Sequence, residues 1–215
     1  MMRVCIVCEG ATEANFVKEC LSPHLADRGV YAYASILQAP SGNHKGGRVT
    51  VERLVRHLSH EYRAFDRLTT LVDFYGFQDR AGRSRAQVEQ AILAGVGQCT
   101  TGFDPRFVLP YVQMHEFEGL LFSDVAQFQW VLDGWNESAR AALQSIRQAV
   151  QSPEEINDSP MTAPSKRLER IFGRGIYSKP EHGPIIAQEI GLDAIRSQCP
   201  QFDTWVRHLE NWGQA

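Results

Sequence analysis

Carboxylates carry most of the chemistry this chain can offer. Glu9 and Glu13 bracket Gly10-Ala11-Thr12 with no basic residue between them. Asp73 closes the apolar run Leu68-Thr69-Thr70-Leu71-Val72, and Glu116 and Glu118 flank Phe117 directly after His115. Paired hard oxygen ligands suit Mg²⁺ or Mn²⁺ rather than zinc. Two such ions about 4 Å apart activate a water and stabilise the leaving oxygen of a phosphodiester. Each acid taken singly has a plainer explanation: Glu13 complements a helix dipole, and Glu9 is a solvated loop residue. What argues for a shared site is that Glu9, Asp73 and Glu116 each follow a short apolar run.

Those runs must position the acids. Arg3-Val4-Cys5-Ile6-Val7-Cys8 reads as a buried strand that delivers Glu9 to its tip. Gly10 suits a tight strand-to-helix turn, Thr12 is expected as the N-cap, and Phe16, Val17, Cys20, Leu21 and Leu25 follow at helical spacing. Residues 30–37 alternate as a second strand. Residues 38–47 form a polar, glycine-bearing loop in which His44 and Lys45 are placed to touch a phosphate, unless the loop is a plain connector. Residues 49–65 read as an amphipathic helix, 68–73 as a third strand and 83–96 as a helix. Residues 106–114 read as a further strand that Pro110 assigns to an edge or a bulge. Strands alternating with helices predict a mostly parallel sheet flanked by helices, whose right-handed crossovers put the three acidic tips on one edge. Beyond Asp124 the pattern is helix and loop, so the expected organisation is an α/β core over 1–124 with a C-terminal helical extension over 125–215 packed on it. Phe202, Trp205, Leu209 and Trp212 make the expected packing face of the last helices.

Composition bounds the class. The 215 residues are 43% hydrophobic and 22% charged, the balance of a soluble globular chain. No apolar run reaches about 18 residues, and the N-terminus offers no signal-peptide pattern, so no membrane contact is expected and a cytoplasmic location is. Five scattered cysteines suit reduced thiols there. Cys5 and Cys8 form a C-x-x-C string, but residues three apart on a strand point to opposite faces, so a redox or zinc site is excluded. A net charge of −3 withholds the basic face of a free-standing nucleic-acid binder. The cations lie in local groups: Lys45 with Arg48; Arg80, Arg83 and Arg85; Lys166, Arg167 and Arg170.

The order of these motifs resembles the Toprim fold of topoisomerases, bacterial primases and OLD-type (overcoming lysogenisation defect) nucleases. Glu9-Gly10-Ala11-Thr12-Glu13 matches the Glu-Gly-x-x-Glu opening of the OLD version, and Glu116-Phe117-Glu118 looks like its later acid-x-acid motif. The strings from His115 to Phe122 and Pro164-Ser165-Lys166-Arg167 are similar to a Toprim-like family often encoded beside SMC/ABC-type ATPases in bacterial defence loci. The resemblance implies metal ligation by Glu9, Glu13, Asp73, Glu116 and Glu118. It also implies a catalytic lysine at Lys166 and one or two Mg²⁺ or Mn²⁺ ions. One departure stands out: where the usual strand ends Asp-x-Asp, this chain has Asp73-Phe74-Tyr75, so a second acid must come from Asp79 or Glu118, or one metal site is weakened.

On this basis the chain is expected to be a metal-dependent endonuclease acting on DNA, with RNA as the other possible substrate. An SMC/ABC-type ATPase is the expected partner in antiphage defence or DNA maintenance, and a homodimer is possible. Lys166 then balances charge on the scissile phosphate, while His44, Lys45, His115 and Arg167 contact substrate. His115 is equally a structural histidine. The alternatives are a catalytically degenerate Toprim-like adaptor, or a metal-dependent phosphatase on small substrates.

Overall fold

The computed structural model describes residues 1–37, 49–157 and 162–214. Among the described residues five parallel strands carry the fold: β1 (Met2–Cys8), β2 (Val30–Ile36), β3 (Arg67–Asp73), β4 (Val108–Leu109) and β5 (Val112–Gln113). Their order is β2-β1-β3-β4, with β5 also on β3. Cys8 pairs with both Ile36 and Leu71, and Asp73 with Gln113, so β1 and β2 end together and β3 runs two residues further to end beside β5 on the same edge. This is the mixed α/β architecture with a mostly parallel sheet that the alternation predicts.

The strand expected over 106–114 is divided in two, and Pro110 is the reason. Proline has no N–H for a ladder and belongs at an edge, and β4 and β5 pair only with β3. Threonine side chains fill the break. Thr69 Oγ1 donates to the Leu109 carbonyl at 2.6 Å, and Thr70 Oγ1 donates to the Tyr111 carbonyl at 2.7 Å while accepting the Tyr111 N–H at 2.8 Å.

Each sheet face has its own core. Cys5, Val7, Leu68 and Val72 pack under α3 (Val51–Glu61) and α4 (Arg85–Cys99). Val4, Ile6, Cys8 and Leu71 face the other way, so the two sulfurs of the C-x-x-C string lie on opposite sides, as a period of two requires. That second face is covered by α1 (Ala11–Phe16) and α2 (Ser22–Ala26), joined by a π turn over Val17–Leu21, and by the C-terminal helices. Pro23 cannot donate to the carbonyl four residues back, which accounts for the widened turn before it.

The α-helices that follow are α5 (Glu118–Leu121), α6 (Glu137–Gln148), α7 (Pro164–Phe172), α8 (Lys179–Ile190), α9 (Leu192–Gln198) and α10 (Pro200–Trp212). Phe202, Trp205 and Leu209 are buried on the sheet, with Trp212 partly so. The Trp205 ring stacks on Tyr111 at 4.6 Å, and its Nε1 donates to Thr69 Oγ1 at 2.8 Å. Among the described residues no helix is long and apolar enough to cross a membrane.

Candidate active site

The carboxyl edge of the sheet gathers the acids. Glu9 directly follows β1, and its Oε2 accepts the Asp73 N–H at 3.4 Å, which ties the tips of β1 and β3 together. Gly10, not Thr12, is the N-cap of α1. It has no side chain to cap with, so Glu13 reaches back and accepts the Gly10 N–H at 2.9 Å. Thr12 instead lies buried beneath Gly183 of α8. Asp73 Oδ1 accepts the Phe117 N–H at 2.8 Å, which brings the segment carrying Glu116 and Glu118 onto the same edge. Glu116 accepts the Ser165 N–H at 2.9 Å and so holds the start of α7 against the site. Phe117, which packs on Phe16 at 5.2 Å, anchors the acid pair from below.

Burial and mutual repulsion set the electrostatics. Desolvation and then the Glu13 charge push the Glu9 carboxyl up to about 7. Desolvation also holds Glu13, Glu118 and Asp73 above the ordinary carboxylate range, and at Asp73 the charges of Glu13 and Glu9 add to the rise. Carboxylates that desolvate and repel one another in this way favour their neutral form until a cation arrives.

One cation is built in. Lys179, the first residue of α8, places Nζ at 3.0 Å from Glu118 Oε2. Its charge also lowers the carboxyls of Glu9, Glu13 and Asp73, and Asp73 and Glu116 in turn stabilise its ammonium. Sequence reasoning missed Lys179. It is one of four lysines and lies in no acidic motif, with Ser178 and Pro180 as neighbours, so no local signal marks it. Tyr177, whose buried hydroxyl has no hydrogen-bond partner among the described residues, stands beside it and feels the charges of Glu118, Glu116 and Glu13.

The other expected site residues fall at different distances from this centre. Lys166 is about half exposed and pairs with Glu169 at 2.9 Å, yet it shares a cavity of about 150 Å³ with Ser165, Tyr177 and Lys179. Arg167 turns its Nε to the Thr162 carbonyl at 2.7 Å. His115 adjoins the acids with its ring 5.3 Å from that of Tyr75 and its buried Nδ1 without a hydrogen-bond partner among the described residues. His44 and Lys45 lie outside the described residues. Tyr75 occupies the position of the absent second acid, and its N–H donates to the His115 carbonyl at 3.3 Å. Asp79 does not replace that acid, because both its oxygens accept the Val51 N–H at the start of α3.

The donor chemistry suits a hard divalent cation: every candidate ligand is oxygen, and Glu118 Oε1 is buried with no hydrogen-bond partner among the described residues. A cage is not preassembled, however. Among the described residues no three His, Cys, Asp or Glu side chains already stand in a metal-holding arrangement.

A family model described as Domain of unknown function (DUF4276) matches residues 8–210. Comparison with curated proteins finds no match. Among solved structures, the C-terminal region of the Xanthomonas campestris pv. campestris OLD protein aligns in its mercury-phased form with a TM-score of 0.46 and 17% identity, covering 98% of this chain and 96% of that one. Its platinum-phased form aligns with a TM-score of 0.43 and 17% identity, over 99% and 94% of the two chains. No chemistry is carried across at that distance.

Proposed function

The chain belongs to the DUF4276 family, and from the acidic edge just described we propose that it is a metal-dependent phosphodiesterase, a nuclease acting on DNA. The observation that carries this reading is the meeting of Glu9, Asp73 and the Glu116–Glu118 segment, from three separate strand tips, through the Asp73 N–H to Glu9 and the Phe117 N–H to Asp73.

Glu9, Glu13, Asp73, Glu116 and Glu118 would hold Mg²⁺ or Mn²⁺. A bound divalent ion supplies Lewis-acid polarisation of the phosphodiester and a water that ionises near neutral pH. The chain's own groups do the rest. Backbone N–H groups of Gly10, Phe117 and Ser165 aim one oxygen each of Glu13, Asp73 and Glu116. This fixes the carboxylates without any side-chain search. Lys179 offsets part of their charge and is placed to stabilise negative charge that grows on the scissile phosphate. Lys166, across the shared cavity, approaches the phosphate after release from Glu169. A net charge of −3 leaves part of the DNA affinity to a partner, for which an ATPase of the SMC/ABC type is the proposal.

The test is cleavage of supercoiled plasmid with Mg²⁺ or Mn²⁺ by the wild type, Glu9→Ala and Glu116→Ala. Metal-dependent nicking that both substitutions abolish supports the nuclease. Absence of cleavage together with absence of Mn²⁺ binding by calorimetry overturns it. A second reading, a non-catalytic adaptor, draws on the Lys179–Glu118 pair, which already neutralises part of the cluster without metal.

A further inference from the structure

Beyond the acids, the loop that leaves β3 builds a second polar feature. Arg80 lies over two rings, with its guanidinium carbon 4.6 Å from the Phe74 centroid and 5.2 Å from that of Tyr75. Arg85 and Arg106, by contrast, have carboxylate partners. The Arg80 side chain makes no hydrogen bond or ion pair among the described residues. A guanidinium fixed by two aromatic faces keeps its N–H edge free and pre-oriented, the geometry that suits a phosphate rather than a diffuse surface charge.

The backbone holds Arg80 in place. The Arg83 N–H donates to the Arg80 carbonyl at 2.9 Å, and the two residues between have positive φ, Ala81 at 51° and Gly82 at 78°. That is a type I′ turn, which alanine adopts only at a cost of about 1–2 kcal/mol. The preceding segment is stitched to the start of α3 through the Gln78 N–H to the Val49 carbonyl. Strain retained beside a site points to a positional demand there. The rings beneath Arg80 lead to the acids, since Phe74 and Tyr75 directly follow Asp73 and the Tyr75 ring faces His115, the residue before Glu116.

We infer that Arg80 is the anchor for a phosphate of the polynucleotide strand flanking the scissile one, so that the loop 74–83 selects a polymer over a small phosphate ester. Tyr75, in the place of a second acid, supports that guanidinium, and the unpartnered Nδ1 of His115 lies on the path between anchor and acids. This inference rests on the phosphodiesterase reading, but its readout is binding and not turnover.

The experiment is anisotropy of a fluorescein-labelled single-stranded oligodeoxynucleotide, with Ca²⁺ as the divalent ion, titrated at several salt concentrations. Wild type is compared with Arg80→Gln, Arg80→Lys and Arg83→Ala, each first shown to unfold at the wild-type temperature. Arg80→Gln is expected to weaken binding and to lower the slope of log K against log salt by about one. Arg80→Lys is expected to lose most of the affinity, because an ammonium neither lies flat on the rings nor forks to a phosphate. The inference is overturned if wild type does not bind the oligonucleotide, if Arg80→Gln leaves affinity and slope unchanged, or if Arg83→Ala loses as much. Arg80-dependent binding without cleavage sinks the hydrolytic reading alone, whereas cleavage with an unchanged Arg80→Gln slope sinks this one alone.

Discussion

The ammonium of Lys179 lies 3.0 Å from Oε2 of Glu118, joining the first residue of α8 to a carboxylate that is only 1% exposed, 61 positions earlier in the chain. The pair does two things at once: it fastens a C-terminal helix to the sheet edge and sets how much negative charge the edge can hold.

Replacing Lys179 with Met strands Glu118 without its counter-charge. Breaking a fully buried pair costs about 3–5 kcal/mol. Here the Lys179 side chain is 42% exposed, so water reaches the site and about 2 kcal/mol is expected. Urea unfolding at neutral pH measures this, and the loss should shrink in acid, where Glu118 takes up a proton instead. Unchanged stability at neutral pH would show that the pair does not hold the edge.

The acids make a second, pH-dependent prediction. Glu9 rises from 4.5 to about 7 on folding. Between those values the native state binds more protons than the unfolded state, so this group's contribution to stability falls as pH rises through that window. The drop is on the order of 1–3 kcal/mol. Asp66, Asp104, Glu169 and Glu210 are held low and act only in more acidic solution, while His57 and His115, also held low, act in the opposite sense. Glu9→Gln isolates the effect: in EDTA its stability should exceed that of wild type above about pH 7 and converge with it near about pH 4.5. Equal stability of the two proteins at every pH would remove the argument that Glu9 is strained by its neighbours.

Gly76 gives a steric test. A Cβ built there would run into the Glu9 carboxylate. Gly76→Ala should therefore turn Glu9 away from Asp73 and weaken Mn²⁺ binding, read by calorimetry, by about tenfold or more, in the range that follows loss of a ligand-orienting contact. Wild-type Mn²⁺ affinity in this variant would mean that Glu9 is not a ligand.

Glu154 tests the attachment of the last helix. It is buried, and its two oxygens accept the N–H groups of Gln201 and Phe202 at 3.0 Å each, capping α10 from a distant loop. Glu154→Ala should cost about 1–2 kcal/mol in thermal or urea unfolding, the value of a lost cap with its donors left buried. Glu189→Ala, at an exposed position of α8 whose side chain has no hydrogen bond or ion pair among the described residues, is the control.

Period and punctuation made most of the fold legible. The alternation of strands and helices, the three acidic tips, the opposite faces of Cys5 and Cys8, and the packing side of Phe202, Trp205 and Leu209 all follow from side-chain direction along a strand or helix. Local competition decided what was misread. Thr12 has the chemistry of an N-cap, but a carboxylate three residues beyond Gly10 satisfied the same donor, which freed Thr12 to be buried. Nothing near Glu154 in the sequence marks it as a cap, because the helix end that it caps lies nearly fifty residues downstream.

The sequence by itself determined that five carboxylates lie at or beside strand ends, since the two-residue repeat of a strand and its sudden polar stop are written in consecutive residues. Only the tertiary structure decided which cations serve them. Lys166 sits beside a recognisable motif yet pairs with Glu169 one turn along its helix, whereas Lys179, unmarked by its neighbours, is carried into the acids by the packing of α8 against α1 and α5. Coulomb attraction depends on distance through space, and that distance is set by which helices bury their apolar faces together.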